Sequence, residues 1–109
     1  MPTNEKLRPD EASEKLYSAI LSLRSAEECR SFFSDLLTPQ ELLTLAQRLE
    51  VAQMLCDGCT YEKIRTRVSA SSSTITRVST ELQYGAGGYR LVLDRLAQMG
   101  ADEEDIKKE

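Results

Sequence analysis

The sequence predicts an all-α fold, and three observations carry that prediction. Apolar residues recur every three or four positions along the patterned stretches, as they do on one face of a helix. Two of these stretches follow a Ser or Thr that precedes a Glu by three positions, a helix-start signal. No stretch has the pattern of a strand. At 109 residues, the chain is one domain by length.

The N-terminal part of the chain predicts two helices. Pro9 and Asp10 begin the first, and its apolar residues fall at i, i+4 and i+7. Ser25 and Glu28 have the capping-box spacing and begin the second. The apolar stripes consist of Leu16, Ile20 and Leu23 in the first helix and of Cys29, Phe32, Phe33, Leu36 and Leu37 in the second.

A longer central helix follows. Thr38 and Glu41 form a second capping box, and Pro39 occupies the first helical position, where its missing N–H costs nothing. Gly58 is the expected residue just beyond the helix end. We expect the inward face of this helix to consist of Leu42, Leu45, Ala46, Leu49, Ala52, Leu55 and Cys56.

Three more helices bring the expected number to about six. Thr60 caps a short helix, and Ser71 or Ser72 caps the next. The Gly-rich stretch 85–88 separates these from a last helix over residues 89–99. We expect 1–99 to form the domain and 100–109 to be an acidic, flexible tail. The inward residues are Ile64 and Val68, then Ile75, Val78 and Leu82, then Leu91, Val92, Leu93 and Leu96.

Composition argues against an enzyme. The chain has no histidine and no serine in a nucleophile-elbow pattern. Residues 85–88 are glycine-rich, but they follow a helix and lack the Lys-Ser/Thr of a phosphate loop. We therefore expect neither catalysis nor a cofactor.

The cysteines leave more than one interpretation open. Cys56 and Cys59 form a C-x-x-C, which suits a redox or metal site, and Cys29 makes the number odd. A redox pair precedes a helix, whereas a helix is predicted to end here, and zinc needs four ligands. We interpret both residues as small, buried side chains at a helix end.

Neither a membrane helix nor a signal peptide is evident. No stretch approaches the roughly 18 uninterrupted apolar residues of a membrane span. Residues 1–13 lack an apolar signal core. We therefore expect a soluble, cytoplasmic protein.

Residues 69–79, SASSSTITRVS, are rich in hydroxyls and lie between two amphipathic segments. They suit either a flexible linker or a helix-turn-helix over about residues 60–83, with residues 69–71 as its turn. In that motif the start of the second helix enters the DNA major groove. Hydroxyls both donate and accept, so they suit phosphate oxygens and base edges alike.

The distribution of charge favours the DNA-binding interpretation. The whole chain carries −4, but residues 60–95 contain six basic and three acidic side chains, a net +3. The helical period places Ser72, Ser73 and Thr76 on the outward side of the second helix. Similar helix pairs also occur in proteins that bind no DNA. A helical dimeric module that binds another protein therefore remains the alternative.

Two segments then show a family resemblance. LTPQELLTLAQRLEVAQMLCDG and YEKIRTRVSASSSTITRVSTEL resemble the Trp repressor family, most closely its TrpR-like YerC/YecD branch, over roughly residues 37–96. The most specific features are LTP-x-E, Arg48, Gly58 and the TITR of residues 74–77. The resemblance implies an intertwined homodimer that reads a palindromic operator, as a repressor, through two helix-turn-helix heads.

The resemblance also implies roles for single residues on the DNA side. Arg65 takes the place of a phosphate-contacting lysine, and Lys63 keeps the charge of another contact position. Ser72 and Ser73 occupy base-facing positions. The turn glycine of the motif is Ser69 here, which costs roughly 1 kcal/mol if its backbone is left-handed. The full DNA-contact set implied by the resemblance is Lys63, Arg65, Ser71, Ser72, Ser73, Thr76 and Arg77.

The tryptophan slot of the family is altered in this sequence. Thr38, Arg48 and Arg77 match residues that line that slot. Val78 replaces a glycine where the flat indole ring enters, and Glu81 replaces the serine that meets the ligand amino group. We therefore expect a vestigial slot that does not bind tryptophan, with Arg77 and Glu81 available to pair at i and i+4. The identity of any small-molecule effector stays open.

Overall fold

The computed structural model describes residues 6–108, with side chains up to Ala101, and this part of the chain is all-α. The fold class and the six helices are therefore confirmed. The chain divides into two compact units, Met1–Leu42 and Leu43–Glu109. The helices are α1 (Pro9–Leu21), α2 (Ala26–Leu36), α3 (Pro39–Cys56), α4 (Tyr61–Val68), α5 (Ser72–Tyr84) and α6 (Gly88–Lys108).

The first unit has no core of its own among its described residues. Neither α1 nor α2 buries any side chain. Ile20 is 36% exposed and Leu21 is 85% exposed, although α1, which contains both, has an apolar pattern. Apolar surface of this extent costs free energy in water, so this unit needs a covering surface.

The helix starts follow the capping rules. The backbone N–H of Glu28 donates to the Ser25 hydroxyl (3.1 Å), although the Glu28 carboxylate accepts from the N–H of Arg24 (2.9 Å) rather than from that of Ser25. At α3 both bonds of the capping box form, one from the N–H of Glu41 to the Thr38 hydroxyl (3.1 Å) and one from the N–H of Thr38 to the Glu41 carboxylate (2.9 Å). The bonds from Thr38 lower the pKa of Glu41 below its ordinary value.

The end of α3 is a Schellman motif at the predicted glycine. Gly58 has φ +81°, a left-handed backbone that L side chains adopt only with strain. Its N–H donates to the carbonyl of Leu55 (3.1 Å), and the N–H of Cys59 donates to that of Met54 (3.0 Å). These bonds satisfy helix carbonyls and turn the chain towards α4.

The second unit contains the hydrophobic core. The residues predicted to face inward in α4 and α5 do so: Ile64 and Ile75 are fully buried, Val78 is 2% exposed, and Val68 and Leu82 pack against this core. The core consists of Val51, Ala52, Met54, Ile64, Ala70, Ile75, Val78 and Leu93.

The predicted inward face of α3 is wrong in its N-terminal half. Leu42, Leu45 and Leu49 are 45%, 46% and 36% exposed, and α3 buries Val51, Ala52 and Met54 instead. The helix is apolar on two sides, and its fully buried residues all lie in its C-terminal turns.

The last helix also differs from the prediction in which residues it buries and where it ends. Leu93 is buried, whereas Leu91, Val92 and Leu96 are 51%, 45% and 45% exposed. The helix continues to Lys108, so the predicted end at Met99 is too early. Good helix formers among residues 101–108 extend it beyond its apolar stretch. None of the described helices is long and apolar enough to cross a membrane.

Candidate nucleic-acid interface

The helix-turn-helix consists of α4, a turn over residues 69–71, and α5. Ser69 has φ 58° and ψ 30°, the left-handed conformation expected from the sequence, and its N–H donates to the carbonyl of Arg65 (3.0 Å). Ala70, in the middle of the turn, is 8% exposed because it packs into the core between the two helices. The small side chain lets α4 and α5 approach each other closely.

One side-chain bond ties the head to α3. The Gln47 side-chain amide donates to the carbonyl of Val68, at 3.4 Å and in a partly buried position. This carbonyl lies at the last residue of α4, where no helical N–H is available to bind it. The bond therefore links the turn of the motif to the central helix.

Both short helices begin on hydroxyl caps. The Thr60 hydroxyl accepts from the N–H of Lys63 (3.2 Å), and the Ser71 hydroxyl accepts from the N–H of Thr74 (3.2 Å). The sequence offered two serines as the cap of α5, and the structure identifies Ser71 rather than Ser72.

The hydroxyl-rich stretch 69–79 consists of the turn of the motif and residues 72–79 of α5, so it is not a flexible linker. Ser72, Ser73 and Thr76 are exposed, while Ile75 and Val78 of the same helix are buried. The helix thus presents a polar side to solvent and an apolar side to the core. Contact of the polar side with DNA stays a prediction.

Basic side chains lie exposed on α4 and α5. Lys63, Arg65 and Arg77 are all exposed. Arg65 lines a shallow groove that it shares with Ser69, in the turn. An exposed guanidinium beside the turn of the motif is suited to a phosphate oxygen.

A cavity of about 570 Å³ lies between α3, α5 and the start of α6. It brings together four residues of the predicted slot: Arg48, Arg77, Val78 and Glu81. Val78 forms part of the wall while only 2% of it is exposed, and the space beside it stays open. Thr38 belongs to the other unit, where it caps α3.

The suggested pair between Arg77 and Glu81 does not form. Among residues 6–101 the structure shows one ion pair, between Arg8 and Glu11 at 4.0 Å. The Glu81 carboxylate lies instead over Gly85, where an added Cβ would come within 2.9 Å of Glu81 Oε2 and would collide with its carbonyl oxygen. Gly85 therefore lets α5 end with Glu81 folded over the turn.

Sequence reasoning missed part of this cavity. The part of the cavity wall that was not predicted comes from the glycine-rich turn and the first turns of α6. These segments are far from α3 along the chain, so the sequence gives no reason to place them beside it. The run of glycines was a signal of a close approach, but it did not show which surface is approached. The missed residues are Leu49, Ala86, Gly87, Gly88, Tyr89 and Val92.

The C-x-x-C corrects one expectation. Cys59 is half-buried and packs against the core, whereas Cys56, the last residue of α3, is exposed rather than buried. In the described part of the chain, no group of three His, Cys, Asp or Glu side chains is placed to hold a metal ion.

Comparison with known proteins places these features in context. The sequence model of the Trp repressor protein family matches residues 11–97. Over 94 residues the chain is 50% identical to the uncharacterized protein YerC of Bacillus subtilis (strain 168), covering 86% of this chain and 89% of that protein.

Two solved structures share the fold. One is the crystal structure of a candidate Trp repressor from Staphylococcus aureus, with a TM-score of 0.78 and 44% identity over 89% of this chain and 96% of that one. The other is a TrpR-like protein from Eubacterium eligens ATCC 27750, with a TM-score of 0.77 and 46% identity over 80% and 90% of the two chains.

Proposed function

The chain belongs to the Trp repressor family, and from this premise we propose that it is a sequence-specific DNA-binding transcriptional regulator that acts as a homodimer. The observation that carries the proposal is the two-sided start of α5. Ser72, Ser73 and Thr76 are exposed on one side, while Ile75 is fully buried on the other. A helix held in this way can enter a major groove without disturbing the core.

The basic residues supply affinity, and the hydroxyls supply selectivity. Arg65 and Lys63 bind phosphates, which fixes the register of the head on the duplex but reads no sequence. Ser72 and Ser73 reach base edges, and the backbone N–H of Ser71 binds a phosphate. Thr76 and Arg77 continue this surface along α5. The acidic remainder of the chain keeps the net charge negative.

The dimer follows from the apolar surface that one chain leaves exposed. Helices α1 and α2 bury no side chain, and Leu42, Leu45 and Leu49 of α3 remain about half exposed. A second copy of the chain covers this surface, because a symmetric interface pairs the same helices from both subunits. Two heads related by a two-fold axis read a palindromic operator, and occupation of that operator represses transcription.

Tryptophan is not the effector in this proposal. Glu81 places a carboxylate at the cavity, and Val78 has a side chain where the family has a glycine. Isothermal titration calorimetry with tryptophan should show no heat of binding. Micromolar binding that is lost on Arg77→Ala would contradict this part of the proposal.

The proposal is tested by selecting genomic DNA fragments with the purified protein and sequencing them. We expect a palindromic motif, with an affinity that falls steeply between low and moderate salt because bound phosphates release counterions. If no fragment is enriched at any salt concentration, the chain is a helical interaction module instead. Arg65→Ala should weaken DNA binding if α4 contacts the phosphates. Arg24→Ala, which removes the same charge from the first unit, is the matched control and should not.

A further inference from the structure

The start of α5 contains a small hydrogen-bond network centred on the Ser71 hydroxyl. Its oxygen accepts the N–H of Thr74 (3.2 Å), and it lies 3.0 Å from the Ser73 hydroxyl and 2.9 Å from the Thr74 hydroxyl. Ser73 is exposed, whereas Thr74 is half-buried. The network therefore connects a residue that faces outward to one that is turned partly inward.

Counting protons shows that this network has two arrangements. A hydroxyl has one hydrogen and two lone pairs. One lone pair of Ser71 accepts the backbone N–H, so one lone pair and one hydrogen remain for two neighbouring hydroxyls. One neighbour must then donate to Ser71 while the other accepts from it. While both bonds form, Ser73 and Thr74 therefore have opposite roles.

The two arrangements give Ser73 different outward chemistry. If Thr74 donates to Ser71 and Ser71 donates to Ser73, the hydrogen of Ser73 is free to point outward as a donor. If Ser73 donates to Ser71 and Ser71 donates to Thr74, Ser73 offers only lone pairs. The first suits acceptor base edges such as guanine O6 or thymine O4, and the second suits the amino groups of adenine or cytosine.

We propose that Thr74 is a positioning residue that sets which bases Ser73 reads, an inference that rests on the proposed function. With Thr74 present, both arrangements are complete, so Ser73 tolerates donor and acceptor edges at its base pair. Discrimination between donor and acceptor edges at that position is therefore weak, although the hydroxyl touches the base. The base selectivity of the helix-turn-helix thus depends on Thr74, which is the neighbour of the contact residue Ser73.

Two substitutions should favour opposite hydrogen-bond arrangements of the network. Thr74→Val keeps the shape but removes one bond from each arrangement. In the first arrangement Ser71 is left with an unused lone pair, whereas in the second its hydrogen has no acceptor, which costs more, so acceptor base edges should gain by about five-fold over donor edges. Ser71→Asp keeps a helix cap but only accepts, so both hydroxyls must donate to it and donor edges should gain by a similar factor. Each preference is a ratio within one variant, so the loss of affinity that the Asp charge causes for all sequences alike does not enter it.

The experiment is selection from a random duplex library with the full-length protein. Ser73→Ala first identifies the base pair that depends on Ser73, and the base ratio there is then compared across variants. Thr74→Ser, which restores the hydroxyl, should return the wild-type ratio. Thr80→Val is the matched control, because the Thr80 hydroxyl donates to the carbonyl of Thr76 (3.0 Å) outside the network.

The outcomes separate the two proposals. Opposite shifts in Thr74→Val and Ser71→Asp, with rescue by Thr74→Ser, support the inference. Enrichment of one motif with an unchanged ratio in both variants, or shifts in the same direction, overturns the inference and leaves the proposed function standing. A wild-type protein that enriches no sequence overturns both.

Discussion

At the scale of the residue, two serines with similar surroundings in the sequence have unlike tasks. Ser69 occupies a left-handed position that usually takes glycine, and Ser73 is exposed at the start of α5. Ser69 affects the stability of the turn through its backbone conformation, whereas Ser73 offers a hydroxyl to the proposed DNA partner. We therefore expect a substitution at Ser69 to change the free energy of unfolding and one at Ser73 to change the preferred DNA sequence.

Replacing Ser69 by glycine should stabilise the protein. The left-handed backbone (φ 58°) costs an L residue roughly 1 kcal/mol, and the greater freedom of glycine in the unfolded chain offsets part of the gain. We expect the free energy of unfolding to rise by about 0.5 kcal/mol. Ser22→Gly is the control, because Ser22 has a right-handed backbone (φ −80°) and should lose stability in the same denaturant titration.

Charge and hydroxyl substitutions in the head should separate affinity from selectivity. Arg65→Ala should weaken binding to all DNA sequences alike and reduce the slope of log affinity against log salt by about one. Ser73→Ala should change the preferred sequence with little change in that slope. Equal effects of both variants on affinity and preference would contradict the assigned roles.

At the scale of the element, most helix ends are decided within a few residues. The Thr38–Glu41 capping box closes both of its bonds at 2.9 and 3.1 Å, and the Schellman motif ends α3 at Gly58. The capping box and the Schellman motif need no residue from elsewhere in the chain. Their contributions to stability can therefore be measured separately, by substitutions at single helix ends.

The capping box predicts a pH dependence of stability. Because the bonds from Thr38 lower the pKa of Glu41 in the folded protein, its contribution is present above the unfolded pKa of about 4.3 and is lost as the pH falls through the lowered folded value. We expect the wild type to be more stable than Glu41→Gln at about pH 7, and this difference in stability to shrink towards about pH 3, below the ordinary carboxylate pKa. Thermal unfolding of both proteins across this pH range measures it. Glu27→Gln, in the first turn of α2, is the control and should show a smaller pH-dependent difference.

At the scale of the whole molecule, the unequal burial of the two units is the main feature. Among the side chains that the structure describes, the second unit packs eight buried residues into a core, whereas α1 and α2 bury none. Since apolar burial is the main favourable contribution to folding, we expect the first unit to depend on the partner chain of the proposed dimer. In that proposal, stability and assembly are linked.

Dilution should reveal that linkage. We expect sedimentation velocity and far-UV circular dichroism to show dissociation and loss of helix together as the protein concentration falls. Leu45→Glu should raise the dissociation constant by about ten-fold or more, because it places a charge in an apolar interface. Tyr84→Glu, at a residue that is 82% exposed, is the control. A folded monomer at all concentrations would contradict the proposed dimer.

The sequence by itself determined the helices, their caps and the helix-turn-helix, since these depend on period, capping side chains and backbone conformation within a few residues. Ser69 and Gly58 were both identified in advance for that reason. Tertiary packing alone decided which side of α3 is buried, because Leu45 and Val51 are equally apolar and only contact with α4 and α5 distinguishes them. It also decided that the glycine-rich turn closes a cavity against Arg48, which joins surfaces far apart in the chain.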